Sequence, residues 1–231
     1  MTPAKWLIFP GLIFMALVIN GCGLASRKAS GPAVIESEMH YAEGQGDAFL
    51  YDVKIYREGK KNSVRLDVYR DEDCLAIFAR GYLGKGVLKG LVLADSTVVY
   101  FPTENEFFSG RLNNLISKSC SQEYNLEKIL IDLFVKRPVD IDYSMTDFYV
   151  NIISDKGAKQ QFRLESTNCA EKAELQYIYK DNRFILDEID FSNRDETFRF
   201  KAELRKSRLN TEIPAEKMAV PIPADAVQIN L

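Results

Sequence analysis

The chain has 231 residues, of which 46% are hydrophobic and 27% charged, with 30 Lys and Arg against 33 Asp and Glu and a single His. That balance belongs to a globular chain of one or two domains and excludes a disordered or collagen-like one. A formal charge of −3 gives no electrostatic footing for nucleic acid, and the lone His40 excludes two-His metal sites and leaves no imidazole base elsewhere in the chain.

Met1 to Gly21 reads as an export signal. Lys5 supplies its positive start, and an apolar run from Trp6 to Ile19 follows, shorter than the roughly 20 apolar residues of a membrane span. Ile19-Asn20-Gly21-Cys22 resembles a bacterial lipobox. The resemblance implies cleavage before Cys22 and acylation of that thiol, with several acyl chains making a stable anchor in a membrane. Gly rather than Asp at position 23 implies sorting to the outer membrane, with the folded body facing the periplasm. The same segment also fits a cleaved secretory signal with Cys22 incidental, or a retained anchor. Residues 22–46, rich in Ser, Gly, Pro, Ala and Glu, read as a tether holding at most a short helix over Val34 to Ala42. The remaining thiols are Cys74, Cys120 and Cys169. An oxidising compartment permits one disulfide among them by three pairings, and three unpaired thiols fit equally well.

From Asp47 the pattern is that of strands, and residues 47–231 are expected to form one domain. Phe49, Tyr51, Val53 and Ile55 alternate with polar neighbours, as do Val64, Leu66 and Val68, which predicts two strands each with one buried side. Strands are also expected over Leu75–Ala79, Val87–Leu93, Val98–Phe101 and Glu106–Gly110, with the glycines of Gly81–Gly86 marking a bend or bulge at a sheet corner. Two helices follow. Leu112, Leu115 and Ile116 suggest a short one, whereas Leu126, Ile129, Leu130, Leu133 and Phe134 form a full amphipathic stripe. Asn125 can cap that second helix, Glu127 and the pair Lys136 and Arg137 suit its dipole, and Pro138 stops it. Hairpins then resume over Phe148–Glu165 and Leu175–Phe191, the latter through a two-residue turn at Asp181-Asn182. A strand over Phe198–Leu204 follows, and the Pro-containing end from Pro214 is expected to wrap a sheet edge. The sum is a mainly β (α+β) chain: a single strongly curved antiparallel sheet of about ten strands, unclosed, with two or three helices as a lid.

The runs Tyr82-Leu83-Gly84-Lys85-Gly86-Val87-Leu88, Ala94-Asp95-Ser96-Thr97-Val98-Val99-Tyr100 and Asn105-Glu106-Phe107-Phe108-Ser109-Gly110, the helix after them, and the ending Asn210-Thr211-Glu212-Ile213-Pro214 with Val220-Pro221-Ile222-Pro223 resemble the half-barrel lipoprotein carriers of the LolA/LolB family, above all uncharacterised LolB-like outer-membrane lipoproteins. The resemblance implies an apolar cavity between curved sheet and lid that takes acyl chains of lipids or lipoproteins, on a protein anchored to the membrane through Cys22. The sequence departs from that family in its short N-terminal helix and in showing no protruding apolar loop. Acyl chains need apolar walls with few polar groups, and the candidate lining is Phe49, Tyr51, Val53, Ile55, Val64, Leu66 and Val68, with Leu130 and Phe134 from the lid. The same side chains also suit a packed core without a cavity. The alternative function is that of a structural or assembly lipoprotein that binds an envelope protein, by adding a strand to an open sheet edge.

No catalytic residues, metal ligands or cofactor are expected. The sequence holds no G-x-S-x-G, H-E-x-x-H or phosphate-loop pattern, the cysteines lack C-x-x-C spacing, and the carboxylate clusters Asp71-Glu72-Asp73 and Asp187-Glu188-x-Asp190 read as solvated surface. An enzyme is not expected.

Overall fold

A computed structural model describes residues 44–57, 59–71, 73–112, 125–143, 148–166, 172–192 and 197–229. Twelve strands make one sheet: β1 (Gly44–Arg57), β2 (Lys60–Asp71), β3 (Cys74–Arg80), β4 (Gly86–Leu93), β5 (Thr97–Phe101), β6 (Glu106–Gly110), β7 (Phe148–Asp155), β8 (Lys159–Ser166), β9 (Lys172–Lys180), β10 (Arg183–Ser192), β11 (Phe198–Ile213) and β12 (Val227–Gln228). Their spatial order is β12-β6-β5-β4-β3-β2-β1-β11-β10-β9-β8-β7. Two meanders therefore run outward from a central β1–β11 pair, and β12 and β7 are left as the edges. The sheet is unclosed, as expected.

Two expectations are corrected. Among the described residues there are twelve strands rather than about ten, and β12 lies parallel to β6, so the sheet is mixed. Among the described residues there is one α-helix, α1 (Leu126–Leu133), beside short 3-10 turns, where two or three lid helices were expected. The helices expected over Val34–Ala42 and beyond Leu112 lie outside the described residues, as do Cys22, Cys120 and Cys169.

The sheet must curl to make its contacts. Asn125, at the start of α1, donates to the Ala94 carbonyl in the β4–β5 turn at 2.9 Å, and Tyr177 on β9 donates to the Leu133 carbonyl at its other end at 2.8 Å. β4 and β9 are six places apart in the sheet, roughly 29 Å if it were flat. The helix between the two contacts is only about 12 Å long. α1, which follows β6 and precedes β7 in the chain, lies over the concave side, with Phe134 at its end against Phe49 and Tyr51.

Local chemistry fixes the turns and close approaches. Asp181 and Asn182 both adopt positive φ, as a two-residue hairpin turn between right-twisted strands requires. At Gly46 a Cβ would lie 2.3 Å from the Arg70 carbonyl oxygen and 2.4 Å from the Ile213 side chain, so only glycine lets β1 pass there. Past Ile213 the chain turns back over the convex face, where Met218 and Val220 pack with Cys74, Ala76 and Leu91. It ends as the edge strand β12, tied down by Val227 donating to the Asn105 carbonyl at 3.0 Å and by the Asn105 amide donating to the Asp225 carboxylate at 3.1 Å. The expected wrapping of a sheet edge is thus preceded by a crossing of the outer surface.

Candidate functional site

Phe49, Tyr51 and Val53 on β1 stand directly opposite Val68, Leu66 and Val64 on β2. Alternation puts these side chains, with Ile55, on the concave face. α1 comes down on them: the Phe134 ring lies 5.8 Å from that of Phe49 and 6.2 Å from that of Tyr51, edge-on to the latter. All nine candidate lining residues fall in one apolar cluster; Val64 and Leu66 are partly exposed and the other seven buried, Leu130 among them. The second meander supplies the facing wall through Phe162, Leu175, Tyr177, Leu186 and Phe200 in the same cluster. The alternation in β8, β9 and β11 carried that signal.

The phenols in this wall are spent on the protein's own backbone. Tyr51 donates to the Leu186 carbonyl at 2.8 Å, and Tyr177 to that of Leu133. Burial holds both well above the ordinary tyrosine range, with the Asp187 carboxylate adding to the effect at Tyr51. Both stay neutral donors, and the surface under α1 is apolar in effect.

α1 itself is seated by three devices. Asn125 caps it by accepting from the Lys128 amide at 2.9 Å. Glu127, expected in the first turn to suit the helix dipole, is fully buried and accepts from the Leu112 amide at 2.7 Å. Lys136 and Arg137 lie beyond the helix and pair locally, with Asp132 at 3.0 Å and Asp140 at 2.6 Å. Arg137 also donates to Gln160 at 3.2 Å and sits 4.9 Å over the Phe184 ring, which closes that end of the concave space with a polar plug.

Two places leave the apolar interior open. Ile152 on β7 is opposite Phe162 and so shares its concave face, yet it is 60% exposed. On the other flank β2 pairs with β3 only from Arg65 to Asp71. Beside the unpaired stretch opens a cavity of about 530 Å³ lined by Val53, Val64 and Leu83, with Lys54, Arg65 and Arg80 on its polar side. The β3–β4 turn also corrects the expectation that no apolar loop protrudes. Leu83 has a left-handed backbone (φ 61°) and is 80% exposed.

The carboxylates of the Asp187–Asp190 cluster each have their own partner: Gln176 donates to Asp187 at 2.7 Å, Lys201 pairs with Glu188 at 3.1 Å, and Arg199 with Asp190. Among the described residues no three His, Cys, Asp or Glu side chains converge as a metal site.

No protein-family description matches the sequence, and no curated protein matches it either. Among solved structures, the chain is similar to a DUF1329 family protein from Desulfovibrio piger ATCC 29098 (10% identity, 76% of this chain and 90% of that one, TM-score 0.44). It is also similar to a putative outer membrane lipoprotein-sorting protein domain from Vibrio parahaemolyticus (9% identity, 75% and 89%, TM-score 0.43). A third likeness is to a LolA superfamily protein from Nitrosomonas europaea (8% identity, 79% and 93%, TM-score 0.38). The last two are described in the terms of the group that the sequence motifs resemble.

Proposed function

We propose that the chain binds acyl chains of lipids or acylated proteins between the concave face of its sheet and α1, and that it does so in the cell envelope, held to the outer membrane by an acylated Cys22. The observation that carries this reading is the placement of Phe134, at the end of α1, against both Phe49 and Tyr51, which makes a lid of one eight-residue helix on an apolar wall much wider than itself. Lifting α1 would expose Leu126, Ile129, Leu130 and Leu133, each at a cost of about 1.5–3 kcal/mol, so the empty site rests closed. An acyl chain sliding beneath the helix replaces those contacts, at roughly 0.8 kcal/mol for each methylene taken out of water. Ile152 marks where the apolar wall runs out to solvent and a chain gains access. Binding and transfer, not catalysis, is the activity this arrangement supports.

The test is native mass spectrometry of the full chain purified from bacterial envelopes in a mild detergent. Co-purifying phospholipid or acylated peptide is expected, retained by Phe134→Leu and lost in Phe134→Lys. A ligand-free mass in the parent protein that also ignores added lipid would overturn the reading. It would favour the second one, a scaffold that takes a partner's strand along β7, where Tyr149, Ile152 and Ile153 are exposed on an edge strand.

A further inference from the structure

The convex face carries a groove of about 270 Å³ that shares only Phe49 with the apolar site. Its floor is Ala48 and Leu50 of β1, and Ile213 and Pro214 close one end. Lys206 and Arg208 on β11 stand opposite Leu50 and Ala48, with Asp67 and Tyr69 of β2 across from the same two residues. Lys217, from the turn after β11, leans in from the end.

Charge bookkeeping sets this groove apart from the surface around it. Six neighbouring cations on the same face are answered, Lys54 and Lys201 by Glu203, Arg65 and Arg205 by Asp52, Arg80 by Asp67 and Arg199 by Asp190, whereas Lys89 stands apart on β4. Among the described residues, Lys206, Arg208 and Lys217 have no carboxylate within ion-pair distance. Of the two acids lining the groove, Asp67 is already taken by Arg80 at 2.5 Å, which leaves Glu212 against three cations. Residues two apart on a strand project to the same side about 6.8 Å apart, so Lys206 and Arg208 repel each other unless an anion lies between them. A guanidinium fork beside two ammonium groups suits a tetrahedral oxyanion, and the apolar floor suits carbon attached to it.

We propose that this groove binds a phosphate group through Arg208, Lys206 and Lys217, on the face of the sheet opposite the acyl-binding one. The contacts are the same for a lipid headgroup and for free phosphate. Isothermal titration of the full chain in a non-ionic detergent tests it with two probes, inorganic phosphate and dihexanoyl phosphatidylglycerol below its micelle concentration. Saturable binding is expected, weakened at least tenfold in Arg208→Gln/Lys217→Gln and in Lys206→Gln, and unchanged in Lys156→Gln, which removes an exposed turn cation elsewhere. Thermal unfolding of each variant separates lost binding from lost folding. Tighter binding of the lipid identifies a headgroup as the source, and equal or exclusive binding of inorganic phosphate identifies the free ion. Failure of both probes to saturate, or parental affinity in the folded Arg208→Gln/Lys217→Gln and Lys206→Gln variants, overturns the proposal.

Discussion

The guanidinium of Arg183 donates to both oxygens of the Asp47 carboxylate, at 3.0 and 2.6 Å, across a seam in the sheet. β10 pairs with β11 only from Glu188 to Ser192. Beyond that the two strands part, and side chains span the gap instead. Asp47 is 2% exposed and sits at a register shift of β1 against β11, where the left-handed Asn210 turns its amide onto the same carboxylate at 3.0 Å. Arg70 approaches it at 3.5 Å.

A buried charge stripped of its partner is costly. Asp47→Asn is expected to lose about 3 kcal/mol of stability in urea unfolding, and Arg183→Met a similar amount. The double variant should lose clearly less than the sum, because the orphaned charge is then gone. Additive losses would mean that the pair does not hold the seam.

Asn125 links the lid to both itself and the sheet, accepting from Lys128 and donating to Ala94. Asn125→Ala removes the cap, worth about 1 kcal/mol. Amide hydrogen exchange over Leu126–Leu133 should then quicken by about fivefold, with exchange in β1 and β2 unchanged. Acyl ligands should leave the variant faster as well, which stopped-flow displacement of a fluorescent fatty acid would read.

Acid weakens the convex face in a defined direction. Hydrogen bonding from Lys201 holds the Glu203 carboxyl below its ordinary range, with Lys54 adding to it. A carboxyl depressed in the folded state stabilises above its unfolded pKa, and that contribution is lost as pH falls through the folded value. Glu203 is well exposed, so solvent screening limits the effect to about 0.5 kcal/mol. Glu203→Gln should therefore lose less stability than the parent protein between pH 7 and pH 3, as a smaller fall in the urea midpoint. Asp155, lowered by the Gly157 amide and then by Gln160, works in the same direction at the β7–β8 turn.

Periodicity over many residues was what the sequence could express. The alternations of Phe49 to Ile55 and Val64 to Val68, the stripe of α1 with its Asn125 cap, and the Asp181-Asn182 turn all appear where they were expected. β12 is two residues long and exists through bonds to Asn105 and Phe107, more than a hundred positions away; two residues have no period to read. Glu127 looks like a first-turn dipole charge, and only the arrival of Leu112 makes it a buried acceptor. Asp47 opened the first strand as an ordinary polar residue because its burial depends on a register shift and on Arg183. The unanswered cations of the outer groove are likewise invisible until β11 lies beside β1.

An acyl chain bound beneath α1 on the concave face would lie within reach of a label carried on the chain itself. The most direct measurement is photo-crosslinking of the full chain with a fatty acid carrying a diazirine in mid-chain, followed by peptide mapping. Adducts on Tyr51, Val53, Leu66, Leu130 and Phe134, suppressed by excess unlabelled fatty acid, are the predicted result. Adducts confined to the convex face, at residues such as Leu91 and Met218, or adducts that excess ligand does not suppress, would contradict it.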